Sequence, residues 1–174
     1  MRKDILISGF GGQGVLFLGQ LLAFAAMQEG KNVVWSPSYG PEMRGGQAHC
    51  TVIVSDEPIG SPVVNQADIL LTLDNPSLAR FEPRLKKGGL VFLNSSLVKD
   101  SLSRDDIICY QIPANTLAEQ AGSIRSANMV LLGALIKVVP LVGRAYVSQA
   151  LCRLSKEEHI KVNEAALELG YSSI

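Results

Sequence analysis

The chain is short of charge. Asp, Glu, Lys and Arg make up 18% of its 174 residues, against about 25% in an ordinary soluble domain. Sixteen cations balance sixteen anions and no basic block stands anywhere along the sequence. That argues against nucleic acid as a partner, since a phosphate backbone is bound by concentrated Lys and Arg. Cysteine is scarce and scattered. Cys50, Cys109 and Cys152 stand alone, there is no C-x-x-C, and His49 and His159 are far apart. A disulfide framework, a zinc site or an iron–sulfur cluster held by this chain alone is therefore not expected. Isolated cysteines in such a domain serve mostly as small buried hydrophobes. No apolar run reaches the roughly 18 residues of a membrane span. A strand begins almost at the first residue, which leaves no room for a signal peptide, so a cytoplasmic protein is expected. There is no H-E-x-x-H, no phosphate-loop lysine and no evident nucleophile–base pair. No catalytic residue and no metal ligand is assigned.

What is plentiful is apolar surface. The chain is 47% hydrophobic, with a mean hydropathy of +0.22. A low-charge surface suggests that partners cover part of it. The length suits one α/β domain with a real core and is too short for two.

The organising stretch is Ile5-Leu6-Ile7-Ser8-Gly9-Phe10-Gly11-Gly12-Gln13-Gly14-Val15. An apolar run enters it, four glycines within six positions turn it, and a long apolar segment leaves it. That is the outline of strand, tight loop and helix. Gly9, Gly11 and Gly14 satisfy G-x-G-x-x-G with flanks of the required kind. Glycines let the backbone turn and let a ligand approach without a Cβ in the way. The loop N–H groups and the positive end of the helix dipole then favour a phosphate. The alternative is a Gly-rich turn that binds nothing.

The dinucleotide fingerprint then breaks. It calls for an acid about 20 residues on, at the end of the second strand, to hold the ribose hydroxyls. The strand at Asn32 to Ser36 instead runs into Pro37-Ser38-Tyr39. Glu29 comes too early, and Glu42 lies beyond the strand. A phosphate-bearing ligand other than NAD fits this pattern, and so does a loop kept after binding was lost.

Further along, residues 36–47 are punctuated by two prolines and three glycines and carry Tyr39, Glu42, Met43 and Arg44. A loop at the carboxyl end of a strand in an α/β sheet sits where ligands bind, and Met and Arg favour interfaces. This suits a binding or docking loop better than an exposed turn with an internal Glu–Arg contact. Ala48 to Ser55 alternates like an antiparallel or edge strand. His49 lies on its less apolar side and reads as structural. Ala67 to Leu73, Leu90 to Leu93 and Ile107 to Ile112 complete the strands. Asn94-Ser95-Ser96 closes one of them, either as hydrogen-bonders for a ligand or as a cap for the next turn.

Helices are expected over residues 13–28, 75–85, 114–121, 128–139, 144–154 and 157–169. Asn75 is the expected cap of the second, Lys86-Lys87-Gly88-Gly89 its stop, Ser155 to Glu158 a capping box and Gly170 the stop of the last. The first helix is apolar almost all round and should be buried broadly, with another chain a candidate for part of its cover. The fourth has few polar positions and should pack centrally or under a partner.

The strings Gly9-Phe10-Gly11-Gly12-Gln13-Gly14, Pro37-Ser38-Tyr39-Gly40-Pro41-Glu42-Met43-Arg44-Gly45-Gly46 and Ser126-Ala127-Asn128-Met129-Val130-Leu131-Leu132-Gly133-Ala134 resemble the gamma subunit of 2-oxoacid:ferredoxin oxidoreductases. The likeness covers nearly the whole chain, as one gamma-type domain over residues 1–174. The 2-oxoglutarate type is the best match, with the branched-chain 2-oxoacid type next. The resemblance implies a Rossmann-like, three-layer α/β domain with a mostly parallel sheet and helices on both faces. It also implies a complex that decarboxylates a 2-oxoacid to an acyl-coenzyme A and passes electrons to ferredoxin. Thiamine diphosphate, magnesium and iron–sulfur clusters would be held by other chains. The implied partners are alpha and beta subunits, with a small ferredoxin-like delta subunit as a further candidate. In isolation the chain has apolar surface through which it would self-associate.

By the same resemblance, Gly9, Phe10, Gly11, Gly12, Gln13 and Gly14 would cradle the phosphates of coenzyme A, with Asn94, Ser95 and Asn128 nearby. Tyr39, Pro41, Glu42, Met43 and Arg44 would face the alpha/beta active site. The Arg44 fork suits a phosphate or a substrate carboxylate. Competing readings are a free-standing nucleotide-binding reductase and a structural adaptor with a vestigial loop.

Overall fold

The computed structural model describes residues 1–38 and 46–174. Six strands form one sheet: β1 (Arg2–Phe10), β2 (Asn32–Ser38), β3 (Gln47–Ser55), β4 (Ala67–Thr72), β5 (Leu85–Asn94) and β6 (Ile108–Ile112). Their order is β2-β3-β1-β4-β5-β6. β1, β4, β5 and β6 run parallel. β3 is antiparallel to both of its neighbours. It is therefore an interior strand, not an edge.

The continuous apolar run Ile5-Leu6-Ile7 is buried on both faces of the sheet, as a central parallel strand requires. Ile5, Ile7, Ile69, Leu71 and Phe92 point into the larger core. Leu6, Leu70, Val91 and Leu93 point into a smaller one.

The larger core lies under helices α1 (Val15–Gln28), α3 (Ala114–Ala121), α4 (Ala127–Val138), α5 (Arg144–Leu154) and α6 (Glu157–Ser172). The smaller face is covered by α2 (Asn75–Phe81), the 3-10 turn Glu82–Arg84 and coil. α5 packs on α1, and α6 packs on α4 and α3. Helices thus stand on both faces, two deep on one of them.

That second tier gives α4 the central packing that is one of the two alternatives read from the sequence. α4 is buried at every position from Ala127 to Ile136, and its outer cover is α6 of the same chain.

Several local expectations are corrected. Asp74, not Asn75, caps α2. Its carboxylate accepts from the Ser77 N–H at 2.9 Å. Asn75 instead accepts from the Lys99 N–H at 2.7 Å. Lys86 to Gly89 do not stop a helix. They loop out within β5 opposite Asp68, which carries Lys86 Nζ to 3.0 Å from the Asp68 carboxylate. There is no side-chain capping box at Ser155. Lys156 is the N-cap of α6, and the Ser155 hydroxyl accepts from Asn163. Gly170 does not end α6 but lies inside it.

The reason for Gly170 is packing. A Cβ there would run into the Val130 carbonyl, and one on Gly133 would run into the Leu167 carbonyl. Two glycines on facing helices let the backbones of α4 and α6 approach side chain to none.

Gly170→Ala tests this contact. Alanine gains up to about 1 kcal/mol of helix propensity, while the overpacking costs about 1–3 kcal/mol. A net loss of stability is expected, visible as a thermal midpoint lowered by a few degrees. A raised midpoint would show that the helices do not sit this close.

Candidate functional site

The Gly loop closes at the carboxyl end of β1. Gln13 folds back on it: its Oε1 accepts the Phe10 N–H at 2.6 Å, and its backbone N–H bonds the Phe10 carbonyl at 3.1 Å. Gly11 N–H donates to the Gly46 carbonyl at 2.9 Å. Phe10 is 45% exposed. Gly9 is packed so closely against Gln13, Leu73 and Val15 that a Cβ would crowd all three.

Gly14 is the N-cap of α1 with φ 74°, a left-handed conformation that glycine adopts without penalty. The place of its missing Cβ is taken by the Asn128 amide. Asn128 Nδ2 donates to the Gly14 carbonyl at 3.1 Å, across 114 residues. Its Oδ1 accepts the Met129 N–H at 2.9 Å. Asn128 is therefore brought to the loop as a clamp.

Beside this clamp lies a cavity of about 360 Å³, within the range of small-molecule sites. Gly12, Gly14 and Phe17 form one wall. Ser123, Arg125, Ser126 and Asn128, at the start of α4, form the second. Leu154, Ser155, Lys156, His159, Val162 and Asn163, at the α5–α6 junction, form the third. Three helix starts converge there. The first N–H groups of each have no intrahelical acceptor and carry the positive end of the dipole.

A short relay fixes the walls. The Ser126 hydroxyl donates to Asn163 Oδ1 at 2.8 Å, and Asn163 Nδ2 donates to the Ser155 hydroxyl at 3.4 Å. Arg125, Lys156 and His159 are exposed at the rim. Sequence reasoning missed all three. They arrive from segments more than a hundred residues beyond the glycines, and no local spacing links them.

Asn94 and Ser95 are not brought to this cavity. Asn94 is fully buried. Its Oδ1 accepts from Ser96 and Ala114 N–H groups, and its Nδ2 donates to Asn115 at 2.9 Å. Its amide pins the β5 end to the start of α3. Ser95 N–H bonds the Ile112 carbonyl at 2.8 Å, joining β5 to β6. Tyr39, Pro41, Glu42, Met43 and Arg44 lie outside the described residues.

His49 stands on the smaller-core side of β3, its ring 5.0 Å from that of Phe81. Burial, then the nearby Arg80 and Arg84, push its pKa below the usual histidine value. Cys50, on the opposite side of the strand, is buried against α1, and burial pushes its thiol up to about 12. It behaves as the buried hydrophobe expected, whereas Cys152 is exposed. Among the described residues, no group of three or more His, Cys, Asp or Glu could hold a metal ion.

The pyruvate ferredoxin/flavodoxin oxidoreductase family matches residues 4–173. The chain belongs to that family. It is similar to the 2-oxoglutarate synthase subunit KorC of Methanocaldococcus jannaschii, 36% identical over 98% of this chain and 93% of that one. It is also similar to the ketoisovalerate oxidoreductase subunit VorA of Methanothermobacter thermautotrophicus, 42% identical over 76% of this chain. The match spans only 27% of that longer relative. Among solved structures, the gamma subunit of a keto/oxoacid ferredoxin oxidoreductase from Geobacter sulfurreducens superposes with a TM-score of 0.88. It is 32% identical over 99% of this chain and 95% of that one. A 2-oxoglutarate:ferredoxin oxidoreductase from Magnetococcus marinus, with 2-oxoglutarate, coenzyme A and succinyl-CoA bound, shares the fold with a TM-score of 0.88 at 23% identity. That match covers 98% of this chain and 30% of that one.

Two outcomes follow from the geometry. Asn128→Ala removes both side-chain hydrogen bonds of the clamp and opens space beside Gly14, a loss of about 1–3 kcal/mol. Amide exchange in the first turn of α1 should accelerate; unchanged protection there would show that the clamp is idle. For His49, the folded chain resists protonation more than the unfolded chain does. Below the ordinary value of about 6.5 the unfolded state therefore binds more protons, and stability falls as pH drops. Urea midpoints at pH 5 and pH 7 should differ less in His49→Asn than in the parent chain.

Proposed function

We propose that this chain is the gamma-type subunit of a cytoplasmic 2-oxoacid:ferredoxin oxidoreductase and that it binds coenzyme A for the complex. The observation that carries this reading is the cavity, with the Gly loop on one wall and cations on the opposite rim. Phosphates fit such a wall because backbone N–H groups and the helix dipole favour anions. The chain's own residues bind and orient. Gly12 and Gly14 admit the pyrophosphate, Asn128 holds the loop that receives it, and Phe17, Leu154 and Val162 offer apolar surface to the rest of the nucleotide. The acyl acceptor is thereby held for chemistry on other chains, where thiamine diphosphate supplies carbanion stabilisation and iron–sulfur clusters carry electrons away.

A 2-oxoglutarate substrate is supported by relatives named 2-oxoglutarate synthase subunits that match along most of their own length. A branched-chain 2-oxoacid comes second, supported by the ketoisovalerate relatives. Alpha and beta subunits are the expected partners, with the loop that carries Tyr39, Pro41, Glu42, Met43 and Arg44 turned toward them.

The free-standing dinucleotide reductase loses support from the sheet order. β3 lies between β1 and β2. That places the end of β2 two strand spacings, roughly 10 Å, from the Gly loop. The position from which a ribose-binding acid works is occupied by an antiparallel strand.

The test begins with the complex purified from its own cells. Partner chains should co-purify, and the complex should reduce a viologen dye with one 2-oxoacid in a coenzyme A-dependent way. Gly12 has φ 100° and open space around it, so Gly12→Asp adds a carboxylate to the phosphate wall together with about 1–2 kcal/mol of backbone strain. Assembly should survive while the KM for coenzyme A rises at least tenfold. An unchanged KM in an assembled complex would favour the adaptor reading. A lone chain that binds NAD or flavin would favour the reductase.

A further inference from the structure

The smaller face of the sheet carries a second polar cluster at its carboxyl end, away from the cavity. The Phe81 ring is buried there, and three basic side chains converge on it. The His49 ring lies 5.0 Å from its centre, the Arg80 guanidinium 5.1 Å and the Arg84 guanidinium 5.8 Å. Arg80 is on α2, Arg84 on the 3-10 turn that follows, and His49 on β3, so the fold assembles the group. This convergence, and not the lack of an ion pair, sets the cluster apart from the other cations. The repulsion registers in His49: after burial itself, Arg80 and then Arg84 lower its pKa.

The neighbouring acids are turned to other tasks. Asp74 Oδ1 accepts the Ser77 N–H at 2.9 Å, and Glu82 Oε1 accepts the Ser103 and Arg104 N–H groups at 2.7 and 2.9 Å. The arginines are held instead by neutral acceptors. Gln47 Oε1 takes Arg80 Nη1 at 3.0 Å, and the Val64 carbonyl takes Arg84 Nη2 at 2.7 Å. Such contacts fix a guanidinium without neutralising it. Ser8, the cross-strand partner of His49, and Ser77 on α2 have buried hydroxyls with no hydrogen-bond partner among the described residues, although buried polar groups are normally satisfied. Fixed positive charge with N–H and O–H groups still to be engaged suits an anion, and a guanidinium fork suits a carboxylate. Phe10 lies beside this group, paired with Gln47 in the β1–β3 register, and it is exposed. An exposed aromatic beside a fixed arginine is the composition of a protein-docking surface. A partner's carboxylate also brings its own cover from water, which an anion bound alone at the exposed Arg80 would lack.

Resting on the reading of this chain as one subunit of a complex, we propose that the cluster of His49, Arg80 and Arg84 docks an Asp or Glu side chain of a partner subunit. The carboxylate engages the Arg80 fork and offsets the charge of Arg84, while Phe10 adds apolar contact at the edge. The charge repulsion within the isolated chain is relieved only on assembly, so the cluster favours a partner that presents an acid at this one place.

The experiment measures the dissociation constant between the tagged full chain and the remaining subunits of the complex over a series of salt concentrations. Arg80→Glu should weaken association about 10- to 100-fold, the worth of one or two charge-assisted hydrogen bonds, and should flatten its salt dependence. Arg80→Lys should retain most of the affinity. Lys87→Glu makes the same charge change at an exposed residue near the opposite end of the sheet and should stay within about twofold of the parent. Arg80 is exposed, so its variants are expected to fold, and thermal midpoints check this. An Arg80→Glu chain that associates as tightly as the parent overturns the assignment, and so does a Lys87→Glu chain weakened to the same degree. An Arg80→Glu complex that assembles normally but has a raised KM for the 2-oxoacid also overturns it, since the cluster then receives a small carboxylate. A proton NMR titration of the isolated chain adds a further check. If His49 titrates above its ordinary value there, an acid of this chain already occupies the cluster and the assignment fails. The two levels separate cleanly. If the parent chain joins no other subunits, the subunit reading fails as well. If the parent complex assembles and reduces the dye with coenzyme A while Arg80→Glu changes nothing, only the docking assignment fails.

Discussion

The hydrogen bond from the Asn128 amide to the Gly14 carbonyl is the constraint on which the candidate site depends. It joins the starts of α1 and α4, two helices that the sheet alone would leave separate. Gly14 can accept it only because no Cβ fills the space where the amide sits. The left-handed backbone at Gly14 then turns β1 into α1. Fixing α4 requires a cover for a helix that is apolar all round, and α6 provides it across Gly133 and Gly170. Once α6 is in place, its start brings Lys156, His159 and Asn163 to the third wall. Loop geometry, helix stacking and rim charge are therefore steps of one arrangement.

The insertion of β3 between β1 and β2 is the second organising fact. In a sheet of adjacent parallel strands, the end of β2 would stand beside the loop and hold a ribose-binding acid. Here the adjacent strand runs the other way. It presents Gln47 beside Phe10 and His49 beside Ser8. The absence of a carboxylate at Ser36 to Ser38 is thus consistent with the topology. Among the described residues, further contacts for a ligand on this loop lie on the helix side, where the cavity is.

Much of this was legible in the sequence, and the limits follow range. The Gly loop could be read because its demand is local: a strand, a turn without Cβ atoms, and a helix. Ala48 to Ser55 could be read as antiparallel because its alternation separates Cys50 and Val52 from His49 and Thr51, and the two sets do face opposite sides. The local errors came from residues with two equivalent uses. Asp74 and Asn75 are both good caps, and only the approach of Lys99 and Asp100 to Asn75 decides between them. Gly170 could as well end a helix as admit a neighbour. Asn94 was legible as polar at a strand end, but its engagement with Ala114 and Asn115 depends on where α3 lands. The third wall was illegible because helix-on-helix stacking carries no mark in the hydrophobic pattern. An apolar helix looks the same whether its own chain or another covers it.

The balance of sixteen cations and sixteen anions argued against polyanions, and that argument holds only for the chain as a whole. Around the amino ends of β1 and β4, carboxylates and cations neutralise one another. Asp4 and Asp68 share Lys86, Asp4 also meets Arg2, and Asp56 takes the chain's own amino terminus and Lys31. At the opposite end of β1, the cavity gathers helix starts and cations with no partner among the described residues. Because water and salt screen charges over about 10 Å, a ligand there responds to that local excess and not to the total. A small, multiply charged phosphate compound can therefore be bound by a chain whose net charge would repel none and attract none. The same screening leaves a long nucleic acid, which needs a continuous basic track, without a surface to follow.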